Sequence, residues 1–390
     1  MKKILSILLA IGILFLFGCS APAETEPTAP APGSATEAEI AQLEALYAGR
    51  QVFYGNLHEH SASGDPVNDP WKTADGKFGL DQWPSILKNL QLDFVAIVDH
   101  RQSKHMRSEY WDETMFLGAT ETGHSRVSST DGNTYSMDYN ILMNDVDKFE
   151  EILKTYPQFN FVDGCFKRVQ RSEAEMDTLQ AAIREAGGIA VHVHPRLEGY
   201  LSSNDPTDYY LGEYTGLEVL YSFGNINMSA PVNQEAYNIW IALLSMGKHV
   251  YAFSGADTHA QCNTISTAAV YAEERLNDSY LKHIVNGDFT AGPVGIRMSI
   301  GDATMGGHTA FDGKRLIIAV GDFHPMEYKT YHRYFLKVYS EAGQVFTQEI
   351  DPSQTNYFAI DTTDCKFYRA EIYNATEQYI FALGNPIWNE

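Results

Sequence analysis

The chain has 390 residues and carries 50 acidic against 28 basic side chains, a net charge of −22 at neutral pH. A balance so acidic excludes docking on a nucleic-acid phosphate backbone or on an anionic membrane surface as its main business. Beyond an N-terminal leader and tether, about 350 residues remain, enough for one large domain and a small one.

Met1-Lys2-Lys3 is a short positive region, Ile4 to Phe17 is an apolar stretch short for a membrane span, and Leu16-Phe17-Gly18-Cys19 stands where a signal peptide is cut. This is similar to a bacterial lipoprotein signal, in which the cysteine becomes the lipidated first residue; an uncleaved anchor is the alternative. Either way the rest of the chain is expected outside the cytoplasmic membrane, in the cell envelope, and on the lipoprotein reading it is lipid-anchored through Cys19. Residues 20–38, rich in Ala, Pro, Thr, Glu and Gly, have too little apolar surface to offset the entropy of ordering them and read as a flexible tether. The expected division is a leader at 1–19, the tether at 20–38, a large unit at 39–297 and a small all-β unit at 298–390. Beyond Cys19 only Cys165, Cys262 and Cys365 remain, without a Cys-x-x-Cys, which argues against a disulfide framework and a thiolate zinc site.

From Tyr54 to Pro293 apolar runs alternate with helical patterns. Strands are expected at 52–57, 93–98, 115–120, 137–143, 188–193, 216–221 and 249–254, with helices at 81–89, 147–155, 172–186, 233–246 and 274–286. Repeated β-α units argue for an α/β fold with a mostly parallel sheet, open or closed into a barrel. In both forms the working groups gather at the C-terminal strand ends.

Those ends carry a pattern. In Gly55-Asn56-Leu57-His58-Glu59-His60, side chains two apart share a strand face, so His58 and His60 point together and Glu59 points away. Later apolar runs end in Asp99-His100, in His192-Val193-His194-Pro195 and in Gly255-Ala256-Asp257-Thr258-His259. Six of the 13 histidines therefore stand at strand ends, which scattered surface histidines would not do.

Leu57-His58-Glu59-His60-Ser61 with Asp65 after it, Asp99-His100, the acid of Gly118-Ala119-Thr120-Glu121, His194-Pro195 and Gly255-Ala256-Asp257-Thr258-His259 resemble, in this order, motifs of the PHP superfamily, named for polymerase and histidinol phosphatase. The resemblance spans residues 54–295. It implies a distorted (β/α)7 barrel followed here by the small β unit, and a site for two or three divalent ions, Zn, Mn or Fe. A first ion is implied on His58, His60, Glu121 and Asp257; a second would share Glu121 and add His194; a third would use Asp65, His100 and His259. One further second-ion position is filled here by either His124 or Asp138, and a site of two ions is also open. His192 shares a strand face with His194 and is extra to the family pattern; it and Asp99 are candidates for protonating a leaving group. Arg101 directly follows His100 and Arg196 follows His194-Pro195, and either could neutralise an anionic substrate or form a structural ion pair. Glu218 resembles a recurrent acid of the family and would support the site or serve the core.

The implied chemistry is hydrolysis by a metal-activated hydroxide, with no serine or cysteine nucleophile needed. No Gly-x-Ser-x-Gly elbow, Gly-x-Gly-x-x-Gly or phosphate loop is found. An acidic chain can still accept an anionic substrate, because bound cations invert the local field. A phosphoester is the first expected substrate class. From about 298, short aromatic runs separated by polar turns read as a small antiparallel sandwich. Their close at Asn385-Pro386-Ile387-Trp388 resembles the carbaryl-hydrolase-like branch of the superfamily. That branch brings carboxyl ester, amide or carbamate bonds as the alternative target. A lipoprotein that binds metal or glycan without turnover is a third reading, with Tyr328, Tyr331 and Trp388 serving a glycan surface or a β core.

Overall fold

The computed structural model describes residues 33–62, 74–155, 170–195, 205–222, 228–259 and 262–390. The first strands are β1 (Gly33–Ser34), β2 (Gln51–Glu59), β3 (Phe94–Ile97), β4 (Phe116–Val127), β5 (Thr134–Leu142), β6 (Ile189–His192), β7 (Thr215–Tyr221), β8 (Val250–Gly255), β9 (Ala268–Ala272) and β10 (Phe289–Ala291). After them come β11 (Val294–Ile300), β12 (Ala303–Thr304), β13 (Arg315–Phe323), β14 (Tyr334–Ser340), β15 (Gly343–Ile350), β16 (Asn356–Asp361), β17 (Phe367–Asn374), β18 (Tyr379–Gly384) and β19 (Ile387–Trp388). The helices are α1 (Glu37–Leu46), α2 (Trp83–Leu90), α3 (Val146–Thr155), α4 (Glu173–Glu185), α5 (Pro231–Ser245) and α6 (Asn277–Ile284). The seven strands expected between residues 52 and 254 are β2 to β8, and the five expected helices are α2 to α6.

The result is a mixed α/β fold. One sheet of 14 strands runs β15-β14-β17-β18-β10-β9-β2-β3-β4-β5-β6-β7-β8, with β19 on β17, and a five-stranded sheet runs β1-β16-β13-β11-β12. The local reasons are ordinary ones. β3 is buried along its whole length, as a central strand covered on both faces must be. α4 starts at Ser172, which exchanges hydrogen bonds with Glu175 in a capping box, and buries Met176, Leu179 and Ile183 at helical spacing. Trp240 of α5 joins Phe94, Leu117, Ile141, Val191, Leu217 and Phe253 in the main core.

The parallel order is interrupted once between β2 and β8. β2, β3 and β4 are mutually parallel, as are β6, β7 and β8, but β5 is antiparallel to both β4 and β6. Residues 128–133 join β4 to β5 in a tight turn with Gly132 at φ 72°. A parallel crossover needs about a dozen residues or more, so this link can only make a hairpin. The outer strands of the run, β2 and β8, meet at their C-terminal tips. There the Asp257 amide donates to His58 O at 2.9 Å and the His60 amide to Thr258 O at 3.4 Å. Asn56 Oδ1 ties the same strands, accepting from the His58 amide at 3.0 Å and the Ala256 amide at 3.2 Å.

Residues 33–38, placed in the expected tether, begin the fold. Gly33 and Ser34 pair with Ala359 and Phe358 of β16, and Thr36 caps α1 in a capping box with Glu39. Leu43 and Tyr47 of α1 pack with Ile317, Ala319 and Ala359 of the five-stranded sheet. The boundary expected at residue 297 runs through β11, while β18 pairs with β10 and carries the large sheet into the C-terminal strands. Cys262 and Cys365 are free thiols, both buried; Cys19 and Cys165 lie outside the described residues.

Candidate metal centre

Three groups of side chains with metal-ligand chemistry converge where these strands end: His58, His60, Glu121 and Asp257; Glu121, Asp138 and His194; and His60, Asp75, His100 and His259. Within each group the donor atoms lie within 4.8 Å of one another. Glu121 belongs to two groups and is their hub. Its Oε2 lies 3.3 Å from His60 Nε2, 3.2 Å from His100 Nδ1 and 3.7 Å from His58 Nε2, and its Oε1 lies 3.1 Å from His194 Nε2. Asp257 Oδ1 is the second hub, 3.4 Å from both His58 Nε2 and His60 Nε2 and 3.3 Å from His259 Nε2. The first two groups are buried throughout, whereas Asp75, His100 and His259 are partly exposed.

These groups fit divalent cations. His58 Nε2 and both ring nitrogens of His60 are buried without forming a proper hydrogen bond, although carboxylate oxygens stand at 3.3 to 3.7 Å. Donors aimed at a common point rather than at one another are what a bound ion requires. The set is imidazole nitrogen and carboxylate oxygen with no thiolate, which suits Zn²⁺, Mn²⁺ or Fe²⁺.

The electrostatics are those of a site whose cations are histidinium. Burial raises the Glu121 carboxyl, but the imidazoles of His100, His194, His58 and His60 crowded around it hold it well below the usual carboxylate range. Burial likewise disfavours charge on His194 and His259, yet Glu121 and Asp257 lift His194 to about 9, and Asp257 with Asp75 lift His259 to about 10. His100 goes the other way, lowered by burial to about 4.

The backbone is bent to bring the ligands in. His194 sits at φ 31° and Asp257 at φ 46°, left-handed conformations that cost non-glycine residues roughly 1–3 kcal/mol each. Glu218 restrains two of the pieces at once: its Oε2 accepts the His194 amide at 2.7 Å and its Oε1 lies 3.2 Å from His58 Nδ1. Holding a ligating imidazole by its far nitrogen fixes the ring for coordination through the other. Space for this carboxylate depends on Gly255, where a Cβ would overlap Glu218 Oε1 and approach His58 Cβ to 2.7 Å.

No family model matches the chain, and no curated protein does. Solved structures do. One is described as a candidate metal-dependent phosphoesterase from Bifidobacterium adolescentis, 16% identical over 53% of this chain and 87% of that one, with a TM-score of 0.33. Another is an amidohydrolase from Chromobacterium violaceum with bound sulfate, 15% identical over the same 53% and 87%, with a TM-score of 0.35. Those activities belong to those proteins; for this chain the side chains themselves must speak.

Of the residues picked out in the sequence, His58, His60, His100, Glu121, Asp138, His194, Asp257 and His259 come together. Asp65 and Arg196 lie outside the described residues. His124 is not in a group: it shares a face of the β4–β5 hairpin with Tyr139, and their rings stack at 5.3 Å. His192 is also turned away. It packs on Tyr139 and Tyr209, each 5.0 Å off, and the left-handed turn at His194 breaks the alternation that would have put both histidines on one face. The Asp99 carboxylate is engaged with the Ser61 amide at 2.7 Å and the Ser61 hydroxyl at 2.6 Å, so it braces the residue after His60. Asp75 was not foreseen. It stands in a loop where no strand end marks it, brought in by Gly76, whose amide donates to Ser61 O at 2.8 Å and where a Cβ would strike His60 O.

Proposed function

We propose that the chain is a metal-dependent hydrolase of the PHP superfamily, its seven strands β2 to β8 forming that family's distorted barrel. The observation that carries this reading is the sharing of Glu121 between two donor groups, with a third, partly exposed group beside them. Bound divalent cations lower the pKa of a water toward neutrality and stabilise negative charge as it gathers on the attacked centre. The chain's own part is to hold and exclude. His58, His60, Glu121 and Asp257 would hold one ion, Glu121, Asp138 and His194 a second, and Asp75, His100 and His259 a third. Glu218 and Asp99 keep His58 and the His60–Ser61 segment from swinging. The buried setting of the inner groups excludes bulk water, which strengthens every charge interaction there.

A phosphoester is the substrate class favoured, since a compact cluster of cations suits a centre whose oxygens gain negative charge. The chain would work outside the cytoplasmic membrane on a lipid carried by Cys19, the reading supported by Met1-Lys2-Lys3 and Leu16-Phe17-Gly18-Cys19. Among the described residues no helix is long and apolar enough to cross a membrane.

The purified full chain, loaded separately with Zn²⁺, Mn²⁺ and Fe²⁺, should release nitrophenolate from bis-nitrophenyl phosphate faster than from a matched nitrophenyl carboxyl ester. Glu121→Gln should abolish that release while leaving the circular dichroism spectrum unchanged. Cleavage of the carbon ester alone would move the target to ester, amide or carbamate bonds, and full turnover by Glu121→Gln would sink the bridging role.

A further inference from the structure

Glu59 lies between two candidate ligands yet takes no part in the donor groups. On β2 its side chain points to the face opposite His58 and His60, where it is wholly buried. A carboxyl with no access to water is tolerated only where hydrogen bonds replace that water. The Thr258 hydroxyl donates to its Oε2. Thr258 has a matching place in its own segment, between Asp257 and His259. The segments lie side by side, Glu59 bridging Thr258 in parallel, with the Asp257 amide on His58 O at 2.9 Å and the His60 amide on Thr258 O at 3.4 Å.

We infer that Glu59 and Thr258 form a strut behind the metal centre, which sets the spacing and twist of His58-Glu59-His60 against Asp257-Thr258-His259. Both are positioning residues, acting on any ion only through their neighbours. The mechanics follow from the backbone. Asp257 is held at φ 46°, a conformation that relaxes unless its surroundings fix it. The amide bonds just described fix residues 257 and 258 near the sheet plane but leave the segment free to roll about its axis. A side-chain bond on the back face opposes that roll. Rolling would separate Asp257 Oδ1 from His58 Nε2 and His60 Nε2, now 3.4 Å away from each, and would unstack His259 from His60, whose ring centroids are 4.1 Å apart.

The strut holds only for a chain that binds metal as proposed above, and the test keeps the two readings apart. Zn²⁺ affinity of the full chain is measured by competition with a chromogenic chelator, beside the melting temperature of the metal-free protein. Thr258→Val, which deletes the hydroxyl, should weaken Zn²⁺ binding about 10- to 100-fold, the size typical of lost support behind a ligand. Thr258→Ser, which restores the donor, should bind as the native chain does. The paired change Glu59→Leu with Thr258→Val removes the buried carboxyl and its donor together, so it should recover the metal-free melting temperature while Zn²⁺ binding stays weak. That split separates a strut from a merely structural bond. If the paired variant or Thr258→Val binds Zn²⁺ as tightly as the native chain, the strut is overturned. If the native chain itself binds none, the metal reading falls first and the strut with it.

Discussion

Asp138 and His124 are both candidates for one position, with His124 the one the sequence favours, and the hairpin register separates them in favour of Asp138. β4 and β5 pair Gly123 with Asp138 and Glu121 with Asn140, so Asp138 shares the Glu121 face and His124 takes the other. The 3.0 Å hydrogen bond from the Val193 amide to Asp138 O also brings the β6 end, and with it His194, alongside. Asp138→Ala is therefore expected to lower bound Zn²⁺ per chain and to weaken what remains about tenfold or more. His124→Phe should leave both unchanged, as read by metal analysis after dialysis. A loss with His124→Phe and none with Asp138→Ala would reverse the assignment. The choice was beyond local reading because both residues stand on strands of correct period, and period ranks faces only within one strand.

At the level of elements, β8 and the turn after it do more than supply Asp257. Gly255 lets β8 pass close to β2 with the Glu218 carboxylate packed between them, and no side chain fits there. Gly255→Ala should cost about 1–3 kcal/mol through overpacking. It should also displace His58, so metal binding falls together with the denaturation midpoint; urea melts with and without Zn²⁺ would check this. An unchanged Zn²⁺ dependence would mean that Glu218 can move without disturbing the centre. The strand ends were legible because apolar runs followed by ligand types are local signals. The reversal of β5 was not, since the strands expected at 115–120 and 137–143 leave a link long enough for a crossover, and only the longer β4 and β5 of the fold shorten it to a hairpin.

Across the whole molecule, the C-terminal strands are fastened to the part built on β2 to β8 by buried polar groups as well as by sheet pairing. Arg369 and Glu371 of β17 are 3.1 Å apart and buried, and Tyr237 of α5 completes the knot. Its hydroxyl accepts from Arg369 at 2.7 Å and donates to Glu371 at 2.9 Å. Arg369→Met would leave Glu371 buried without its cation, a loss expected at about 3–5 kcal/mol. Unfolding followed by tryptophan fluorescence should then shift as one transition. A separate early transition confined to the C-terminal strands would mean that this knot does not couple the two parts.

The sequence by itself determined the alternation of strands and helices, the clustering of histidines and acids at strand ends, and most of the candidate ligands. These are carried by residues adjacent in the chain, where strand period and apolar runs suffice. Only the tertiary structure decided which loops meet. It brought in Asp75 from a loop with no period to mark it and chose Asp138 over His124 by cross-strand register. It turned His192 away from the centre through one left-handed residue, and it set Glu59 against Thr258 across some 200 positions of chain. Such contacts depend on how distant segments are packed, which no local pattern encodes.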